Sequence, residues 1–127
     1  MPAFGGLFLL AALLAGCASE PLPVTVDPGE DQKIVQMTAT NFNFNPKEIY
    51  AYQGDTLILR ILNDSFVQHN ITIFDPRGAV LINQDLPEHQ TTPVVVHLSF
   101  PGDYPFYCDK ALHSTLGMRG FLHAAAR

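Results

Sequence analysis

From Lys33 onward, apolar and polar residues alternate with a period of two, the period of a strand buried on one face. Val35, Met37 and Ala39 alternate with Gln36, Thr38 and Thr40. Phe42 and Phe44 alternate with Asn41, Asn43 and Asn45 until Pro46 ends the run. Ile49 to Tyr52 reads as a short strand, and Gln53-Gly54-Asp55 as a turn. Thr56 to Leu62 sets Leu57, Leu59 and Ile61 on one face, and Asn63-Asp64-Ser65 closes it with turn residues. His69 to Phe74 is a further strand, stopped by Asp75-Pro76-Arg77-Gly78. Val94, Val96, Leu98 and Phe100 alternate with Val95, His97 and Ser99. Pro101-Gly102-Asp103 turns the chain into Tyr104 to Cys108, and Gly120 to Ala124 forms the last strand. Asp109 to Leu116 is the one stretch suited to a helical turn, and Ala79 to Thr92 has room for an edge strand. About seven or eight short strands separated by turn residues predict an all-β fold, an antiparallel Greek-key sandwich or barrel over residues 33–127.

The N-terminus has another pattern. Phe4 to Ala15 is almost purely apolar and ends in Leu14-Ala15-Gly16-Cys17. The run is too short to span a bilayer, which takes ~20 apolar residues, and it has the length of a secretory h-region. Leu-Ala-Gly-Cys resembles the bacterial lipobox, in which the cysteine receives lipid and becomes the first mature residue. The Lys or Arg usual near the start of such signals is absent before Cys17. On this reading residues 1–17 are a lipoprotein signal and residues 18–32, rich in Pro and acids, are a flexible tether. The folded domain is then exported and lipid-anchored on the periplasmic or extracytoplasmic side of a bacterial membrane.

Composition narrows the partners. Hydrophobic residues make up 47% of the 127, enough for one core but not for two compact domains. The formal net charge is -5 and no basic run stands out, which argues against nucleic acid. Two cysteines cannot build a disulfide scaffold. With Cys17 lipidated, Cys108 is a lone thiol in an oxidising compartment. It is then an intermolecular disulfide partner, an inert buried side chain or a metal ligand.

Its neighbours favour the ligand. Tyr104, Phe106 and Cys108 share a strand face that reads as core-facing. His113 follows five positions later and Met118 five after that, with Gly117 and Gly120 available for a tight return. Thiolate, imidazole and thioether form a soft donor set suited to copper. His69 shares parity with Ile71 and Ile73, which points a second imidazole inward.

At these residues the chain resembles the cupredoxins, the type 1 or blue copper proteins. The resemblance runs from about Lys33 to the C-terminus. It rests on Phe42-Asn43-Phe44-Asn45-Pro46, Tyr50-Ala51-Tyr52-Gln53-Gly54-Asp55-Thr56, His69-Asn70, Gly102 to Cys108, His113 and Gly117-Met118-Arg119-Gly120. The spacing is similar to that of the longer-loop, rusticyanin-like members. The resemblance implies one mononuclear copper ion held by His69, Cys108 and His113, with Met118 as weak axial ligand. It also implies that Asn70 ties its strand to the cysteine loop. Asp109 departs from the family, where Ser or Thr is commoner after the cysteine. The implied function is single-electron transfer, without catalysis, to or from a redox protein such as a cytochrome or an oxidase. Phe66, Leu112 and Leu116 are candidates for an apolar docking collar around His113. His89, His97 and His123 read as surface residues, and Lys110 and Arg119 as solvated charges.

Other functions fit less well. A binuclear copper centre needs two cysteines in the ligand loop, and a copper nitrite reductase needs a further His-rich site; neither is present. A copper chaperone uses the same soft ligands but favours an open, Met-rich site, and the chain has 3 Met. A metal-free binding module has no use for four ligand types at workable spacing. A carboxylate ligand from Asp109 would make a red rather than a blue site, and Met118 in the axial role disfavours it.

Overall fold

The computed structural model describes residues 22–26, 32–110, 113 and 115–127. The strands are β1 (Val24–Thr25), β2 (Gln32–Thr40), β3 (Asn43–Asn45), β4 (Glu48–Tyr52), β5 (Thr56–Asn63), β6 (His69–Phe74), β7 (Val80–Leu86), β8 (Thr91–His97), β9 (Gly102–Tyr107) and β10 (Arg119–Ala125). They form two sheets. One has six strands in the order β1-β4-β10-β9-β6-β7, and the other has four in the order β3-β2-β5-β8.

The sheets pack through the faces that the alternation selected. Val35, Met37, Ala39, Leu57, Leu59, Ile61, Val94 and Val96 are buried from the smaller sheet. Ile49, Ile71, Ile73, Tyr104, Phe106 and Leu122 meet them from the larger one. Phe44 and Phe106 pack edge to face, ring centroids 5.4 Å apart. Each fully buried Val, Leu, Ile, Met or Phe among them contributes about 1.5–3 kcal/mol through its removal from water.

Four features differ from the expected pattern. The sheets are mixed, not purely antiparallel: β2 runs parallel to β5, and β4 runs parallel to both β1 and β10. After the β2–β3 hairpin the chain crosses to the other sheet as β4. It then returns as β5 alongside β2 in the same direction. Periodicity reports which face is buried and carries no information on strand direction. Second, part of the segment read as a tether belongs to the sheet. Val24 pairs with Ile49, the Val26 N–H donates to Tyr50 O at 2.9 Å, and Val26 is buried. Third, Phe42 leaves the face of Phe44. It sits in the β2–β3 turn at φ 65°, and its ring is exposed. Fourth, no helix occurs among the described residues. His113 N–H donates to Lys110 O and Met118 N–H to His113 O, while Ala111, Leu112 and Ser114 lie outside the described residues.

Two glycines shape the return of this loop. Gly117 adopts φ 102°, a conformation that only glycine takes without strain. Gly120 serves close approach and not the turn, because a Cβ there would collide with Lys47 O and the Phe106 ring. Cys17 and residues 1–21 as a whole, Leu112 among the loop positions, and residues 27–31 lie outside the described residues. Among those described, no helix is long and apolar enough to cross a membrane.

Candidate metal centre

Three of the expected ligands converge at one end of the sandwich. His69 opens β6, a strand buried on both faces, so its ring is held from all sides. Cys108 lies one residue past β9 and is fully buried. His113 comes from the following loop and is half-buried. The donor atoms of His69, Cys108 and His113 lie within 4.8 Å of one another. His69 Nδ1 and His113 Nδ1 are 3.2 Å apart, and Cys108 Sγ is 3.4 Å from His113 Nδ1.

Met118 is buried immediately before β10. Its backbone binds both ends of the loop: Met118 O accepts the Cys108 N–H at 3.1 Å, and Met118 N–H donates to His113 O at 3.0 Å. The loop therefore closes on itself, with Cys108, His113 and Met118 tied by main-chain bonds.

The donors fit a metal ion. Two donors each about 2.0–2.3 Å from one ion, and some 120° apart around it, stand about 3.5 Å from each other. The two observed separations are close to that value. Lone pairs gathered in a dry site repel unless a proton or a cation lies between them. Burial, followed by the nearby His113, lowers the pKa of His69 below its usual value and so favours the neutral imidazole, the form that can donate to a metal. Burial raises the Cys108 thiol. The backbone N–H groups of Lys110 and Asn70 work against that rise, and the Asp109 charge adds to it. A cation would favour the thiolate outright. The His69 Nε2 is buried and lacks a hydrogen-bond partner among the described residues.

The residues around the donors depart from expectation in informative ways. Among the described residues, the Asn70 side chain has no hydrogen bond to the cysteine loop. It donates to Asn83 Oδ1 at 2.8 Å and accepts from Thr72 Oγ at 2.7 Å, while its main-chain N–H faces the Cys108 sulfur. The Asp109 carboxylate stands outside the donor group, is exposed, and accepts from Asn83 Nδ2 at 3.4 Å. It is not placed as a ligand. Lys110 is ion-paired to Asp85 at 3.2 Å and is not a free solvated charge. Asn63 has the sequence context of a turn residue, yet it ends β5. It is fully buried, donates to Val67 O and Leu86 O, and so fixes the approach to His69. No sequence signal separates such a buried amide from an exposed turn asparagine.

Phe42 lies edge-on to the His113 ring, centroids 4.9 Å apart. Phe66, at 89% the most exposed large apolar side chain described, precedes His69 by three residues, and Leu116 is exposed in the ligand loop. Phe66 packs against His89, and His97 Nδ1 pairs with Thr56 Oγ. His123 sits on the outer face between Asp103 and Glu48.

An all-β sandwich with a buried Cys-His-His donor group at one end defines a small metal-binding β protein. The chain belongs to the family of cupredoxin-like domains, whose family model matches residues 6–123. No curated protein matches it. Among solved structures it is similar to dithionite-reduced auracyanin from the photosynthetic bacterium Roseiflexus castenholzii. That match has 19% identity and a TM-score of 0.65, and covers 76% of this chain and 98% of the other. It is also similar to auracyanin A, described as a "blue" copper protein from the green thermophilic photosynthetic bacterium Chloroflexus aurantiacus. Here identity is 17%, the TM-score 0.62, and coverage 80% and 98%. Auracyanin B matches with 17% identity and a TM-score of 0.63, over 80% of this chain and 93% of the other. At these identities the likeness is one of fold.

Proposed function

We propose that this protein is a mononuclear type 1 copper protein that carries single electrons between redox partners. The observation that carries the reading is the convergence of His69 Nδ1, His113 Nδ1 and Cys108 Sγ in a buried pocket. Met118 is the axial thioether on this reading. Bound copper would cycle between Cu(I) and Cu(II), and a rigid set of imidazoles, thiolate and thioether limits the rearrangement that accompanies the electron. The sandwich supplies the rigidity. β6 is packed on both faces, and the loop is closed by the Cys108, His113 and Met118 main-chain bonds. His113 is the half-exposed ligand and makes the electron's route to the surface. Phe42, which packs edge-on against His113, and the exposed Phe66 and Leu116 supply the apolar surface on which a partner docks. The full burial of Cys108 and His69 favours a carrier over a chaperone, because delivery of the ion needs ligands that a receiving protein can reach, and of these three donors only His113 is partly exposed. Cys17 carries the lipid that anchors the protein at the outer side of a membrane, and its redox partner is a cytochrome or an oxidase.

The test is a visible and electron paramagnetic resonance spectrum of the full chain after addition of Cu(II). An intense thiolate-to-copper band with narrow hyperfine splitting is expected; a colourless protein overturns the reading. The anchor has its own test. Cys17→Ser is expected to release the protein from the membrane fraction, and retention there would refute the lipidation.

A further inference from the structure

On the outer face of the larger sheet, a polar layer runs from β7 across β6 to the ligand loop. Asn70 pairs in register with Asp85, and Thr72 with Asn83. Thr72 also pairs with Tyr107 of β9, so the same register carried two residues further sets Asp109 opposite Asn70. Within this layer the Asp85 carboxylate gathers several donors. Its Oδ1 accepts from Asn70 Nδ2 at 3.4 Å and from Lys110 Nζ at 3.2 Å. Gln68 donates to it as well. Gln68 and Asn70 flank His69 in the chain, and Lys110 lies two residues past Cys108.

Resting on the copper reading above, we propose that Asp85 is a positioning residue for the metal centre, clamping the His69 strand to the Cys108 loop through Asn70 and Lys110. The main-chain N–H groups of both residues it grips favour the Cys108 thiolate. Hydrogen bonds to that sulfur draw electron density from it and are one of the means by which such sites set their potential. Asp85 thus acts on the sulfur at one remove. Both bonds are charge-assisted: an ion pair holds the Lys110 side, and an amide donating to the same carboxylate holds the Asn70 side. Asn83 completes the layer by bridging Asn70 to Asp109. A carboxylate whose only task was to keep an edge strand from pairing with other chains would face solvent unpaired. Asp85 stands on the edge strand β7, yet its carboxylate is engaged by donors from two other segments.

Two variants of the full chain separate the clamp from the charge. Asp85→Asn and Asp85→Leu both remove one negative charge, but only Asn keeps an acceptor for Asn70 and Lys110. In metal-free protein, the Asn70 and Lys110 amide proton shifts are expected to stay near wild type in Asp85→Asn. In Asp85→Leu both are expected to move upfield as the bonds to sulfur lengthen. In copper-loaded protein, Asp85→Leu is expected to have a lower reduction potential than Asp85→Asn and a displaced thiolate-to-copper band. Equal amide shifts in the two variants, or equal potentials, overturn the clamp. If wild-type protein shows no type 1 spectrum, the function proposal fails separately, and the metal-free amide shifts still decide whether the clamp exists.

Discussion

Strand β5 joins two buried polar knots that are built on different principles. Asp55 immediately precedes the strand and Asn63 ends it, about 25 Å away at the rise of an extended chain. Both are fully buried. At the Asp55 end the knot is ionic: Lys33 Nζ lies 2.9 Å from its carboxylate and Arg127 3.4 Å, and the Tyr52 N–H also donates to it. At the Asn63 end, the groups that hold the segments leading to His69 and Cys108 are mostly amides, hydroxyls and main-chain groups. Among the described residues, the one ion pair there, Lys110 with Asp85, is at the surface. A formal charge buried beside a redox ion would shift its potential strongly, because interactions in a dry interior are weakly screened. Neutral groups fix geometry without that shift. The end free of redox chemistry can use full charges, and there a carboxylate secures the first core strand and the C-terminus together.

The largest expected effect belongs to the metal end and leaves the fold standing. Cys108→Ser should abolish the intense visible band entirely, since that band is charge transfer from thiolate to copper. Denaturant unfolding of the metal-free variant should remain cooperative. A band that survives would remove Cys108 from the site and erase the distinction between the two ends.

The ionic end should show the reverse behaviour. Asp55→Ala leaves Lys33 buried without its partner and the Tyr52 N–H unpaired. Breaking a buried pair from one side costs about 3–5 kcal/mol, to be read from the denaturation midpoint. The copper spectrum of the protein that remains folded should match wild type. A changed spectrum would mean that the two knots are coupled along β5.

A smaller effect is expected for Met118→Leu. Replacing the thioether by an alkyl chain of similar volume costs less than about 1.5 kcal/mol in packing. Loss of a weak electron donor should favour Cu(I) and raise the potential, with copper still bound. Complete loss of copper would make Met118 a primary ligand instead of an axial one.

The comparison also marks what could be read from the chain. The alternation of Leu57, Leu59 and Ile61 and of Tyr104, Phe106 and Cys108 reports burial directly, because a side chain's face in a strand depends only on parity. The inward positions of His69 and Cys108 followed from the same rule. Strand direction is absent from that signal, which hid the parallel β2–β5 pair. Phe42 broke parity because one left-handed residue in a tight turn is enough to rotate it from the core to the rim of the site. Val24 and Val26 alternate too, but two pairings beside Pro and acids are too short to register as a strand. The polar layer of Asn70, Asn83 and Asp85 depends on partners 13 and 15 residues apart, and only the pairing of β6 with β7 brings them together.

The smallest expected effect concerns a third polar group, away from both knots. His123 lies in the middle of the larger sheet, on β10, between Asp103 of β9 and Glu48 of β4. Tyr50 and Phe121 stack on its ring. Burial alone would lower its pKa, but hydrogen bonds and charge from Asp103 and Glu48 outweigh that, and the net displacement is upward from 6.5. The folded state therefore holds this proton more tightly than the unfolded chain. The resulting stability is fully present below pH 6.5 and disappears as pH rises through the higher folded value. Asp103 is largely exposed and Glu48 partly so, and screening limits each pair to about 0.2–1 kcal/mol. His69 gives the opposite slope, because its folded pKa is lowered and its contribution is lost as pH falls below 6.5. Subtracting the melting profile of His123→Gln from that of wild type removes the His69 part, which both proteins share. The difference should be largest in mildly acidic buffer, decline as pH rises, and shrink in high salt. A difference that grows with pH would reverse the sign assigned to this histidine and leave the outer face of the sheet without a proton-linked contribution to stability.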